Sequence, residues 1–135
     1  MNKISRWILW CGWMIGLSVF GIAGVALARE TTPRVTNFPV ILAADLPKEG
    51  RDTLALIRKG GPYPYAKDGS VFSNRERILP MQPRGFYHEF TVKTPRSRDR
   101  GARRIICGGA VGRQQVLETC YYTDDHYASF KKIKE

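Results

Sequence analysis

Phe86 to Lys93, FYHEFTVK, alternates strictly between two kinds of side chain. Phe86, His88, Phe90 and Val92 fall on one side, and Tyr87, Glu89, Thr91 and Lys93 on the other. A period of two is the signature of a β-strand with two unlike faces. It excludes a helix here and demands a sheet that covers the Phe90 and Val92 face with a core. The same parity turns Glu89 away from that core, onto a concave or open side.

The segments around this strand complete an α+β pattern. Residues 29–45 read as an extended lead-in, with two prolines in RETTPRVTNFPV. A helix follows. Pro47 suits its first turn, Leu46, Leu54 and Ile57 form an apolar stripe, and Lys48, Glu49, Arg51, Asp52, Arg58 and Lys59 face water. Gly60-Gly61-Pro62 ends it. Beyond it lie short strands: Val71-Phe72, after an Asp68-Gly69 turn signal; Arg103–Cys107; Tyr121-Tyr122; and Tyr127–Phe130 after a Thr123-Asp124-Asp125 turn. The expected architecture is one N-terminal helix packed on a small antiparallel β-sheet. In the Arg103–Cys107 strand, Arg104 and Ile106 point one way, Arg103 and Ile105 the other.

Not all of the 135 residues belong to that domain. Residues 7–28 carry no charge, follow Lys3 and Arg6, and end in Ala26-Leu27-Ala28. This is the pattern of a secretory signal peptide, residues 1–28, cut after Ala28. An uncleaved membrane anchor is the alternative for so long an apolar run. Cleavage implies a secreted or periplasmic protein with no stable membrane association and a domain over 46–135. The chain has 22 Lys and Arg against 12 Asp and Glu, and only Lys3 and Arg6 precede Ala28, so residues 29–135 carry a net +8. A basic surface draws in polyanions. Cys107 and Cys120 form an even pair flanking a Gly-bearing stretch, which in an exported domain reads as a disulfide. A zinc site lacks the histidine pair that finger spacing requires.

Five residues in the last third of the chain carry the chemistry. Glu89 lies in YHEF, Arg100, Arg103 and Arg104 in RDRGARR, and His126 in DDHY. Metal-independent cleavage of RNA needs a base at the 2′-oxygen, an acid at the 5′-leaving oxygen, and positive charge on the non-bridging oxygens. A carboxylate, an imidazole and guanidinium forks supply these. Each also has a structural use. Glu89 can pair with Arg104 across neighbouring strands, and His126 can be a turn residue held by Asp124 or Asp125. A second segment, VFSNRERILP at 71–80, holds one acid, Glu76. A carboxylate accepting two parallel hydrogen bonds reads N1–H and N2–H₂ of guanine, while backbone amides read O6 and Phe72 covers the ring. Asn74 suits the left-handed turn that points those amides inward. A plain turn with Glu76 bridged to Arg75 or Arg77 is the alternative.

Taken together, DTLALIRKGGPYPYAKDGSVFSNRERILP, GFYHEFTVKTP, RGARRIIC and YYTDDHYASF resemble the small secreted guanyl-specific ribonucleases of bacteria. The streptomycete kind is nearest, with barnase and the fungal guanyl ribonucleases more distant. The resemblance runs from Leu46 to Ile133. It implies Glu89 as general base, His126 as general acid, and Arg100 and Arg104 as the phosphate clamp. It also implies Tyr127 as a phosphate contact, and Phe72, Ser73, Asn74, Arg75 and Glu76 as the guanine loop. It implies single-stranded RNA as substrate, no metal or other cofactor, a monomer, and transesterification to a 2′,3′-cyclic phosphate followed by hydrolysis. A non-catalytic RNA-binding module on this scaffold is the rival. An antibacterial ribonuclease toxin, matched by an acidic inhibitor protein, is a further one. The chain departs from the resemblance in two respects, one being a loop between Cys107 and Tyr121 several residues longer than in those relatives. The streptomycete enzymes join their termini by a disulfide, whereas here Leu42 stands at the early position and Glu135 ends the chain without a cysteine. The implied Cys107–Cys120 bridge would staple a hairpin instead.

Overall fold

The computed structural model describes residues 37–110 and 116–135, so the apolar segment 1–28 and residues 29–36 of the lead-in lie outside it. The elements are β1 (Val40–Leu42), a 3₁₀ turn (Ala43–Asp45), α1 (Lys48–Lys59), β2 (Ser70–Val71), β3 (Tyr87–Thr91), β4 (Arg104–Ala110), β5 (Val116–Thr123) and β6 (Lys131–Lys134). The six strands form one sheet in the order β1-β6-β5-β4-β3-β2.

The apolar stripe of α1 has the spacing that a helix needs to bury one side. Leu54 and Ile57 are buried, and Pro47 sits just before the helix as its N-cap rather than inside the first turn. At the other end Gly60 takes φ 77°, and its N–H and that of Gly61 close the last turn on Ile57 and Leu56 carbonyls. Only glycine enters that region without a steric cost. The helix packs its stripe and Leu46 onto Phe90, Val92, Ile105, Cys107 and Tyr122. Each such aliphatic side chain contributes about 1.5–3 kcal/mol on burial.

The opposite face of the sheet is not bare. Leu79, Tyr87, Ile106, Tyr121 and Phe130 form a second buried cluster there. Alternation in the sequence separates two faces but does not say whether the second is covered. It is covered because the 74–80 loop folds over it: the Asn74 side chain donates to the Leu79 carbonyl (2.9 Å) and accepts from the Leu79 N–H (3.1 Å). Burial pushes the Tyr87 hydroxyl up to about 12, and it donates to the Pro80 carbonyl. Glu89 therefore lies on a partly covered face rather than a fully open one.

Three expectations from the sequence need revision. First, β2 to β6 pair antiparallel as anticipated, but β1 runs parallel to β6, so the sheet is mixed. Part of the presumed lead-in is thus an edge strand, with Val40 opposite Lys132 and Leu42 opposite Lys134. This pairing ties the two ends of the described domain together, and an Arg58–Glu135 ion pair fastens the C-terminal end to the last turn of α1. Second, the last strand is Lys131–Lys134, not Tyr127–Phe130. His126 and Tyr127 have φ of 60° and 74°, which no strand accommodates. The turn is locked by Asp125, whose carboxylate accepts from the Ser129 hydroxyl and N–H and from Thr123. Those bonds, the Ser129 hydroxyl foremost, hold it at about 2. Third, the short strand precedes Phe72 and consists of Ser70–Val71, while β4 starts at Arg104 rather than Arg103.

Cys107 and Cys120 are directly opposed on β4 and β5 and are joined in a disulfide. The loop-entropy estimate for so short a loop is about 3 kcal/mol. The Cys107→Ser/Cys120→Ser double variant is expected to lose about that much in urea unfolding while retaining activity, because the bridge packs in the helix-side core, on the sheet face opposite Glu89.

Candidate active site

The parity of β3 places Glu89 beside the start of β4, where Arg104 and Ile106 face the same way. Glu89 is opposite Ile106 in register, and Arg104 is opposite Thr91. The cross-strand Glu89–Arg104 pair considered from the sequence is therefore not formed. Arg100 is the ion-pair partner instead, with its Nη2 3.6 Å from Glu89 Oε1. Arg100 is aimed by Thr91, whose hydroxyl accepts from Nε (3.0 Å) and Nη2 (2.7 Å). Asp68 completes the support. Its side chain is 2% exposed, lies 3.9 Å from Arg100 Nη2, and accepts from the Thr91 N–H (2.7 Å). Ser70 Oγ donates to the same Glu89 oxygen at 3.3 Å.

Tyr127 links the remaining parts. Its hydroxyl donates to Glu89 Oε2 at 2.6 Å. Burial first, then that bond, raises the tyrosine above its ordinary value, which keeps it a neutral donor. The ring of His126 lies 5.3 Å from the Tyr127 ring, so the exposed imidazole stands next to the carboxylate's donor. The Arg104 guanidinium also lies over that ring, 5.9 Å from the centroid.

Arg104 is 3% exposed. Its Nη1 donates to the carbonyls of Arg100 (3.3 Å), Gly101 (2.8 Å) and Arg103 (2.7 Å), which fixes the loop that carries Arg100. Its Nε is buried with no hydrogen-bond partner. An unpaired buried guanidinium N–H is costly unless an anion takes it. Arg104 thus holds its own loop through Nη1 and keeps one buried N–H without a partner. Gly101, at φ 62°, permits this loop: a Cβ there would meet Thr94 Oγ1 at 2.1 Å. The Ser97 hydroxyl and Gly101 N–H hold the Asp99 carboxyl below its usual range and stiffen the same turn. Arg103 points to the other side and lies 4.0 Å from Glu49 of the helix.

Phe72 stacks on Tyr127, with centroids 5.3 Å apart and rings 29° from parallel. The 72–76 loop therefore begins against the Glu89–Tyr127 cluster. Asn74 has φ 46°, as its side chain type favours, and its carbonyl accepts from the Arg77 N–H at 2.9 Å. Ser73, Arg75 and Glu76 are exposed on this turn.

Residues 29–134 match the model of the ribonuclease family. This chain belongs to that family. It is 52% identical over 96 residues to guanyl-specific ribonuclease St of Saccharopolyspora erythraea, covering 71% of this chain and 88% of that one. It is 53% identical over 90 residues to guanyl-specific ribonuclease Sa of Kitasatospora aureofaciens, covering 67% and 88%. Among solved structures, ribonuclease Sa2 in complexes with mononucleotides is 47% identical with a TM-score of 0.67, covering 74% of this chain and 97% of that one. Ribonuclease Sa2 with guanosine-2′-cyclophosphate gives a TM-score of 0.63 at 47% identity, covering 72% and 96%.

Against this ribonuclease family, the sequence reading missed Asp68, Ser70 and Thr91 as supports of the site. Asp68 was legible only as a turn former. Thr91 shares the Glu89 face by parity, and that was the available signal for its part in aiming Arg100.

Proposed function

We propose that this chain is an endoribonuclease that cuts single-stranded RNA 3′ to guanosine by acid–base catalysis. The observation that carries this is the meeting of Glu89, Arg100, Arg104, His126 and Tyr127 at one place, with the Phe72 end of the base loop stacked on it. Glu89 takes the proton of the 2′-hydroxyl. The 2′-oxygen attacks phosphorus, and the 5′-oxygen of the next nucleotide leaves with a proton from His126. The product is a 2′,3′-cyclic phosphate. In the second step the roles exchange: His126 takes a proton from water, water attacks phosphorus, and Glu89 returns a proton to the 2′-oxygen. Arg100 and Arg104 stabilise the extra charge on the non-bridging oxygens, so the scheme calls for no metal. Tyr127 keeps Glu89 oriented and yields its hydrogen bond when phosphate enters.

Base choice is assigned to Glu76 and the amides of the Asn74 turn. The name of ribonucleases St and Sa as guanyl-specific supports that reading. Single strands are the substrate because the guanine edge is unavailable in a duplex. Export by cleavage after Ala28, a monomeric state and an acidic protein inhibitor complementary to the net +8 domain complete the proposal. Glu76→Ala is expected to reduce the guanine-over-adenine ratio of kcat/KM by roughly 10²-fold or more, as loss of a paired hydrogen-bond readout does. Retention of the full ratio would move recognition elsewhere.

A further inference from the structure

A groove of about 720 Å³ runs along the base loop, and it contains none of Glu89, Arg100, Arg104, His126 or Tyr127. One wall is residues 71–75 and 77, which takes in the guanine-assigned loop except Glu76, and the other is residues 81–85 with Tyr87. Arg75, Arg77 and Arg84 line it, and no acidic side chain does. Among the described residues none of these three arginines makes an ion pair, and all are exposed. The groove also holds two of the domain's exposed large apolar side chains, Val71 (52%) and Met81 (69%).

We propose that this groove binds the RNA on the 5′ side of the cleaved guanosine. The proposal rests on the assignment of guanine to the 72–76 loop. Unpaired guanidinium groups beside exposed apolar side chains suit a single-strand track: arginine meets phosphate, and apolar or guanidinium faces meet bases. The direction follows from the chemistry. A bound guanosine leaves its site at two points. Its 3′-phosphate and everything beyond pass the general acid, His126. Its 5′-oxygen must exit elsewhere, and the groove adjoins the base loop while omitting the whole acid–base centre.

The test uses the full domain and three RNAs, each with one guanosine. Guanylyl-3′,5′-cytidine has no flank, UUUUUGC extends only 5′, and GCUUUUU extends only 3′. Arg77→Gln/Arg84→Gln alters groove residues outside the proposed catalytic and base-reading sets. This variant is expected to cut guanylyl-cytidine and GCUUUUU within about twofold of wild type. Its kcat/KM on UUUUUGC should fall by about tenfold, from two lost charge-assisted phosphate contacts at solvent-screened positions. The salt dependence of that reaction should weaken by roughly 1.4 in log–log slope, at about 0.7 per phosphate on a single strand. Equal activity on all three RNAs would overturn the proposal. So would a loss confined to GCUUUUU, or a loss on guanylyl-cytidine as large as on UUUUUGC. If wild type fails to cleave guanylyl-cytidine, the ribonuclease assignment itself fails, and that outcome is distinct from the others.

Discussion

Glu89→Gln is expected to fold and bind RNA as wild type does while turnover falls by roughly 10²–10⁴-fold, the range for a lost general base. The substitution keeps the shape of the side chain. Its amide oxygen still accepts from Tyr127 or Ser70, which bond Glu89 at 2.6 and 3.3 Å. Arg100 remains held, because its two bonds to Thr91 do not involve Glu89. With the opposing carboxylate gone, the guanidinium is freer for phosphate, so KM should be unchanged or lower. The loss therefore belongs in kcat, with unchanged thermal unfolding. Near-normal turnover would remove Glu89 from the role of base.

His126 replacement should show its effect through the leaving group. His126→Ala is expected to lose roughly 10²–10⁴-fold on a nucleoside leaving group, whose oxygen needs a proton as it departs. With an aryl phosphodiester of guanosine, whose leaving group is stable as an anion, the loss should be far smaller. Because His126 sits at φ 60°, His126→Asn is the companion variant, since asparagine tolerates that region. Both variants should show the same leaving-group contrast. Equal loss on both substrates would argue that the imidazole only shapes the turn. Tyr127 bears on this result, since its N–H donates to Thr123 (3.2 Å) and keeps the turn in place independently of position 126.

Much of this site was legible as parity. Alternation along FYHEFTVK put Glu89 and Thr91 on one face, and the strand beginning at Arg104 put that arginine and Ile106 on the facing side. Two kinds of information were not local and stayed hidden. One was long-range pairing: β1 lies beside β6 across most of the chain, and nothing in VIL announces a parallel partner. The other was backbone sign. DDHY looked like the approach to a strand, yet two successive positive φ values turn it back, stabilised by Asp125 acting on residues to either side. Those same dihedrals set the His126 and Tyr127 rings beside each other, so what breaks the expected strand also shapes the candidate site.

Arg104 shows where charge pattern alone misleads. A cluster of arginines reads as a solvated surface or a phosphate clamp, and this one is chiefly buried under its own loop, with one donor left over. It holds the loop that carries Arg100 as well as being the proposed second phosphate donor, so substitutions there are expected to mix loop disorder with any lost charge stabilisation.

The most direct test of the account is to map the ends made on a defined RNA in excess chelator. Each new 3′-end is predicted to fall on guanosine in single-stranded stretches, first as a 2′,3′-cyclic phosphate and later as a 3′-phosphate. Cleavage that stops when chelator is added, or ends distributed over all four bases, would contradict it.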